Sequence, residues 1–298
     1  MTRILVTSDL HYDVKRSQDA AERLATHACK TGGDAIVLAG DTAGADLEKF
    51  SQALALFKNF SGQKLLVPGN HCLWCNPIGI DGLPPDASIE RYEKLIPQVA
   101  EEHGFAVLDQ QPLVMDGTGL VGSVGWYDYS MRCESLGIPL DFYRIKLSPG
   151  AARYMGGYET LLEKYGNILT QEHMSLGVRW MDGFRVRLGM SDEAFLNSLL
   201  AKLKRQLEEI SRHADRIIAF IHHLPFMELV PQKRPMRFAF AAAYLGSIRI
   251  GQLLRNFENV TDIFCGHSHW PAKYNDGKII ATAMGNTYLE KRLTIVEC

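Results

Sequence analysis

The sequence predicts an α/β protein built on a largely parallel, buried sheet. Three observations carry that prediction. Short runs of Val, Ile, Leu and Ala alternate with amphipathic stretches through the first third of the chain. Each of these runs is followed within a few residues by Asp or Asn, twice preceded by Gly. Apolar runs return in the last third, where a turn signal joins two of them. Strands buried on both faces read as continuous apolar runs, and alternation with helices is the rhythm of βαβ units.

Taken in order, Arg3–Thr7 reads as the first strand, followed by a helix from about Ser17 to Lys30. Asp34–Ala39 is the second strand, with a helix from about Asp46 to Phe60 behind it. Lys64–Val67 is the third, closed by Pro68-Gly69, and Leu120–Trp126 is another apolar run. From Tyr127 to about Arg187 the chain is rich in Tyr, Arg and Met and its periodicity is weak. A helix then starts with Ser191 as N-cap and runs to about His213, with Leu196, Leu199, Leu200, Leu203 and Leu207 on one face. Residues 127–215 therefore read as an insertion or cap within one domain spanning 1–298. Arg216–Ile221, Val260–Cys265, Lys278–Ala281 and Leu293–Val296 are the closing strands. Asn275-Asp276-Gly277 is a hairpin turn, so the chain ends in antiparallel pairing.

Composition narrows the function. The 298 residues suffice for a large buried core, and no apolar run approaches the roughly 18 residues of a membrane span. A net charge of −2 supplies no field that would favour nucleic acid or a membrane surface. Ile4-Leu5-Val6 is too short for the apolar part of a signal peptide, and six dispersed cysteines then read as reduced thiols. The expectation is a cytoplasmic protein with no membrane partner.

The chemistry lies in five short motifs: Asp9-x-His11, Gly40-Asp41, Gly69-Asn70-His71, His222-His223 and Gly266-His267-x-His269. They hold six of the ten histidines. Asp, Asn and His together make the nitrogen and oxygen donor set that holds divalent first-row metals, and with no Cys in the set a structural zinc finger is a poor explanation. Side chains two apart on an extended segment point the same way, so Asp9 with His11, and His267 with His269, can each grip one ion. Gly40 and Gly69 precede donors at tight exits from strands, where a missing Cβ lets the chain turn. Asp41 is the candidate bridge, because its two oxygens can serve two cations. Each dipeptide alone is a common turn signal, but all five together after apolar runs point to a two-metal hydrolytic site.

The motifs D-x-H, G-D, G-N-H, H and G-H-x-H, in this order, resemble the calcineurin-like metallophosphoesterase superfamily. The resemblance covers both ends of the chain and leaves the 127–215 segment unmatched. It implies a two-sheet β-sandwich flanked by helices, and hydrolysis of phosphoester bonds by a hydroxide bridging two divalent ions, whether Mn, Fe, Zn or Ni. By position, Asp9, His11, Asp41 and His269 would hold one metal. Asp41, Asn70, one of the paired histidines and His267 would hold the other. His71 would be the catalytic histidine that protonates the leaving group. His222 ends its strand, where a ligand is expected, while His223 lies two residues before Pro225 and fits an H-x-P form of the pattern. His222 is preferred, with His223 beside the substrate. Cys72 after Asn70-His71, and Gly44 three residues after Asp41, depart from protein serine/threonine phosphatases. Gly-His-Ser-His is closer to the phosphodiesterase-type branches.

The implied substrate is a small molecule or nucleotide, phosphodiester or monoester. A metal-dependent nuclease is the second enzyme reading, although near-neutral charge argues against nucleic acid. A non-catalytic scaffold of the same fold is the rival class, but no ligand-type residue is missing. Lys233, Arg234 and Arg237 form either a solvated loop or a grip on a second phosphate. Trp74, Tyr127 and Tyr129 are wall or stacking residues, and His27, His103, His173 and His213 read as surface. Cys72-x-x-Cys75 reads as a pair of packing cysteines. Gly117-x-Gly119-x-x-Gly122 matches a dinucleotide fingerprint but leads into a strand instead of a helix, so the match reads as accidental.

Overall fold

The computed structural model describes residues 2–76, 80–232 and 235–298. Two mixed sheets face each other. The first has strand order β11-β1-β2-β3-β4, from β1 (Arg3–Thr7), β2 (Ala35–Ala39), β3 (Gln63–Val67), β4 (Phe105–Val107) and β11 (Thr294–Glu297). Its four early strands are parallel and β11 closes one edge antiparallel to β1. The second has order β5-β6-β7-β8-β10-β9. Its members are β5 (Leu113–Met115), β6 (Thr118–Ser123), β7 (Arg216–Ile221), β8 (Val260–Cys265), β9 (Ala272–Asn275) and β10 (Ile280–Ala283). Here β6, β7, β8 and β10 run parallel, with β5 and β9 antiparallel on the outside.

Alternation along each strand divides the core in two. Ile4, Val6, Val37, Leu65 and Val67 meet Leu120, Ile218, Phe220 and Phe264 between the sheets. Their neighbours Leu5, Ile36, Leu38 and Leu66 belong to the other apolar cluster, with the helices. Period-two alternation therefore buries both faces, which is why the sequence showed unbroken apolar runs. The Lys15–Thr31 helix buries Ala21, Leu24, Ala25 and Ala28 at helical spacing. The Leu47–Ala55 helix is shorter than expected, and Asp46 caps it by accepting from the Glu48 and Lys49 amides. In the Asp192–Ile210 helix, Ser191 accepts from the Ala194 amide, and Leu196, Leu199, Leu203 and Leu207 are buried. Leu200 is only half-buried.

Strands β4 and β5 were not read from the sequence, because three residues are too few to show a period. The β5–β6 turn at Asp116-Gly117 also disposes of the dinucleotide match, since Gly117 is a hairpin residue and Gly119 and Gly122 lie within β6. Between 127 and 187 the chain makes only short helices, Leu140–Arg144, Pro149–Met155, Glu159–Lys164, Gln171–Ser175 and Asp182–Arg185, with a 3-10 turn at Glu134–Leu136. None is long enough to reveal an amphipathic period. Among the described residues, no helix is long and apolar enough to cross a membrane.

Candidate metal centre

The carboxyl ends of parallel strands from both sheets deliver the donors, as open α/β sheets characteristically do. Asp9 follows β1, Asp41 follows β2 and Asn70 follows β3, while His222 follows β7, and His267 and His269 follow β8. Backbone hydrogen bonds lace these loops together: Asp9 N–H to Gly40 O (2.9 Å), His11 N–H to Asp41 O (2.9 Å) and Gly266 N–H to His222 O (3.1 Å). The seven residues named as metal ligands thus converge at one place: six fall in three-residue groups, and Asn70 lies beside His222. Asp9, His11 and His269 form one group with donor atoms within 4.8 Å of one another, Asp41, His222 and His267 form another, and His11, Asp41 and His71 a third that joins them.

Asp41 stands between these groups. Its Oδ2 lies 3.3 Å from His222 Nε2, 3.7 Å from His11 Nε2 and 4.0 Å from His71 Nε2. Its Oδ1 accepts the His71 amide at 2.9 Å. Asp9 Oδ1 accepts the His267 amide at 3.0 Å and lies 3.7 Å from His269 Nε2. The Asn70 amide oxygen lies 3.3 Å from His222 Nε2. His11 and His269 present their Nε2 atoms to each other at 3.1 Å. Buried imidazole nitrogens and carboxylates drawn this close fit divalent cations, since oxygen and imidazole donors suit first-row metals.

The reason Asp9 and His11 converge differs from the one read in the sequence. These pairs do not lie on extended chain. Asp9, His11, Asp41, His267 and His269 all hold left-handed backbone, with φ between 45° and 65°. Such conformations cost non-glycine residues of order 1–3 kcal/mol each and cluster at functional sites. The two glycines also divide in role. Gly40 has φ +99°, and a Cβ there would lie 2.0 Å from His222 Nδ1. Gly69 lacks a positive φ, and what it supplies is room, because its Cβ would lie 2.2 Å from Asp41 Oδ1.

The electrostatics suit ligation. Burial first, and His71 second, hold His11 well below the usual histidine range. Burial, with His223 and His222, does the same to His267, and burial lowers His269. These neutral rings keep lone pairs free for a metal. Burial opposes charge on His222, yet Asp41 outweighs it and pushes His222 up to about 9. Burial would raise the Asp41 carboxyl, but His222, then His71 and His11, hold it well below the ordinary carboxylate range. The His222–Asp41 pair is therefore the charged contact that a cation would replace.

Beside the donors opens a cleft of about 310 Å³, lined by Asp41, Asn70, His71, His267 and His269 and walled by Trp74, Arg179, Trp180, Met181, Asp182 and Tyr288. His71 stacks on Trp74 with ring centroids 3.6 Å apart. Tyr288 packs against His11 and His269, at 5.0 and 5.3 Å. A larger cavity of about 590 Å³ also touches Asp182, but its Lys146–Asp192 and Arg144–Glu193 charges already pair with each other, at 2.5 and 3.0 Å. The smaller cleft, which Asp41, Asn70, His267 and His269 line, is the candidate reaction site. Arg179, Trp180, Asp182 and Tyr288 were not singled out in the sequence; no spacing rule connects them to the motifs.

Of the proposed substrate contacts, His223 is fully buried, its Nδ1 bonded to Val124 O at 2.9 Å and its ring 5.2 Å from Trp126. It does not line the cleft. Arg237 is exposed on the Met236–Ala241 helix and also lies off the cleft. Lys233 and Arg234 fall outside the described residues. Tyr127 and Tyr129 are buried, while Trp74 is a cleft wall. Among the histidines read as surface, His27 and His213 are exposed. His173 is instead buried, capping the Gln171–Ser175 helix and bonding Leu136 O at 2.6 Å. Cys72 and Cys75 are free and buried, and burial pushes the Cys72 thiol up to about 12, which keeps it unreactive.

A family model of calcineurin-like phosphoesterases matches residues 2–271. No curated protein gives a significant sequence match. Among solved structures, the phosphopantetheinyl hydrolase of Mycobacterium tuberculosis superposes with a TM-score of 0.67 at 18% identity, over 94% of this chain and 88% of that one. The protein TT1561 of Thermus thermophilus superposes with a TM-score of 0.51 at 14% identity, over 99% of this chain and 98% of that one. Both likenesses are of fold, the two-sheet sandwich between helices. With the family match spanning nearly the whole sequence, the chain belongs to the calcineurin-like phosphoesterase family and is a metal-dependent phosphoesterase.

Proposed function

We propose that the protein hydrolyses a small phosphodiester at a centre of two divalent cations. The observation that carries this reading is Asp41 Oδ2, which lies within 4.0 Å of His222, His11 and His71 and so stands between two donor groups. Asp9, His11, Asp41 and His269 would hold one cation, and Asp41, Asn70, His222 and His267 the other, with Mn, Fe, Zn or Ni compatible with the donors. Bound there, two cations would lower the pKa of a water and neutralise charge on the phosphate oxygens. His71 is the proton donor to the leaving oxygen, with Trp74 holding its ring in place.

A diester is favoured over a monoester because the walls rise over both donor groups. Tyr288 covers His11 and His269, and Trp180 packs edge-on to His267 at 5.8 Å. A phosphate between them has surface on each side for a substituent. The 127–215 segment is a cap within a single domain on this reading, since it contributes Arg179, Trp180 and Asp182 to the cleft. A small phosphorylated partner fits a cleft of this size better than nucleic acid, for which a net charge of −2 offers no footprint. Six free cysteines support a reducing compartment such as the cytoplasm.

The test is a paired assay of Mn²⁺-loaded protein on bis(p-nitrophenyl) phosphate and p-nitrophenyl phosphate, with Asp41→Asn as control. Faster diester cleavage that disappears in Asp41→Asn is the expected result. Cleavage of the monoester alone would overturn the diester preference, and activity on neither would bring the scaffold reading forward.

A further inference from the structure

We propose that Asp182 is a positioning residue for the metal centre: its carboxylate fixes which end of the Asn70 amide faces the metals. The proposal rests on the reading of Asn70 as a ligand given above. Asp182 is 1% exposed and lies within the 127–215 segment, outside the five motifs. Its Oδ1 accepts from Asn70 Nδ2 at 2.9 Å and Trp74 Nε1 at 2.7 Å. Its Oδ2 accepts from Trp180 Nε1 at 2.8 Å and Tyr127 Oη at 3.0 Å. Four donors fill the acceptor capacity of a carboxylate.

The physical logic is one of donor and acceptor. The two ends of an amide have nearly the same shape, so packing alone does not choose between them. An ionised carboxylate can only accept, so the NH₂ group of Asn70 must face it. The carbonyl oxygen is thereby turned to the opposite side, where it lies 3.3 Å from His222 Nε2. The same carboxylate holds the Trp74 ring that stacks on His71, and the Trp180 ring that packs against His267. One buried side chain from the cap thus sets the orientation of groups from two motifs. Partners of this kind, one bond beyond the ligands, typically change metal affinity by about 10- to 100-fold when removed.

The experiment is calorimetric titration of metal-free protein with Mn²⁺, for the wild type, Asp182→Ala, Asp182→Asn, Asn70→Ala and the Asn70→Ala/Asp182→Ala double variant. Melting of each metal-free protein reports folding. Asp182→Ala should weaken Mn²⁺ by about 10- to 100-fold. In the Asn70→Ala background the same change should weaken it by no more than about twofold, the scatter expected of an independent site. Asp182→Asn keeps an oxygen for Asn70 and Trp74, loses the acceptor for Trp180 and Tyr127, and should stay within about twofold of the wild type. A folded Asp182→Ala with wild-type affinity overturns the proposal, as does a full loss that persists without Asn70. If Asp182→Ala does not fold, Asp182→Asn decides. A tenfold or greater loss there would mean that Asp182 acts through its charge rather than by holding the amide. A wild type that takes up no Mn²⁺ would instead remove the metal reading itself.

Discussion

Gly69→Ala puts a methyl group where the structure leaves no room. Its Cβ would lie 2.2 Å from Asp41 Oδ1 and 2.4 Å from the Asp41 backbone nitrogen, whereas ordinary contact begins at 3.4 Å. Asp41 cannot yield freely, since its Oδ1 accepts the His71 amide and its carbonyl oxygen accepts the His11 amide, both at 2.9 Å. Overpacking of this kind costs about 1–3 kcal/mol. At about 2.1 cal/mol/K of unfolding entropy per residue, 298 residues give roughly 1.6 °C per kcal/mol, so melting should fall by about 2–5 °C. The catalytic cost should be larger, because a shift of about 1 Å in a reacting group can lower rates on the order of 100-fold. Thermal melting and diester turnover should be measured against Gly177→Ala, where nothing lies within 4 Å and φ is ordinary. If Gly69→Ala melts and turns over like Gly177→Ala, the close approach of β3's exit to Asp41 is not a constraint and the reasoning fails.

Further outcomes follow from the same geometry. His71→Ala should retain Mn²⁺ affinity while losing about 100- to 10,000-fold in turnover, and an equal loss of metal would make it a ligand. His222→Ala should lose bound metal, while His223→Ala keeps it. The latter should instead be destabilised by about 0.5–3 kcal/mol, because it removes a fully buried ring packed against Trp126 and Tyr127; metal analysis and urea unfolding separate the two. Alkali should unfold the protein early. Burial first, then Asp109 for Tyr92 and Asp182 for Tyr127, hold these phenols well above their usual range, and burial with Tyr143 does so for Tyr244. In the unfolded chain they ionise near pH 10, so their stabilisation is complete below about pH 10 and declines as pH rises. The expected slope is up to about 1.4 kcal/mol per pH unit for each phenol, and urea midpoints that hold steady from pH 9 to 11 would contradict it.

The sequence by itself determined the sheet scaffold and the five motifs. Ligand-type residues sit directly after apolar runs, and strand ends are local signals that survive without any knowledge of packing. Arg216–Ile221 and Val260–Cys265 have the same bounds in the sequence reading and in the structure, and each ends in an apolar run, Ile217–Ile221 and Ile263–Cys265, that stops at a motif. The preference for His222 rested on its position at the end of such a run, and the structure brings it, not His223, to Asp41.

Tertiary structure decided what local pattern cannot carry. Asp182 lies 112 residues from Asn70 and 108 from Trp74, so no spacing could announce that one carboxylate serves both. The short helices between 127 and 187 hide their packing because a turn or two cannot display an amphipathic period. The left-handed backbone at Asp9, His11, Asp41, His267 and His269 is likewise not spelled out by the residue types, since Asp and His enter that region more often than most residues but elsewhere in the chain mostly do not. The sequence names the candidate ligands at the strand ends; the contacts between the two sheets and the 127–215 segment decide which way each of them points.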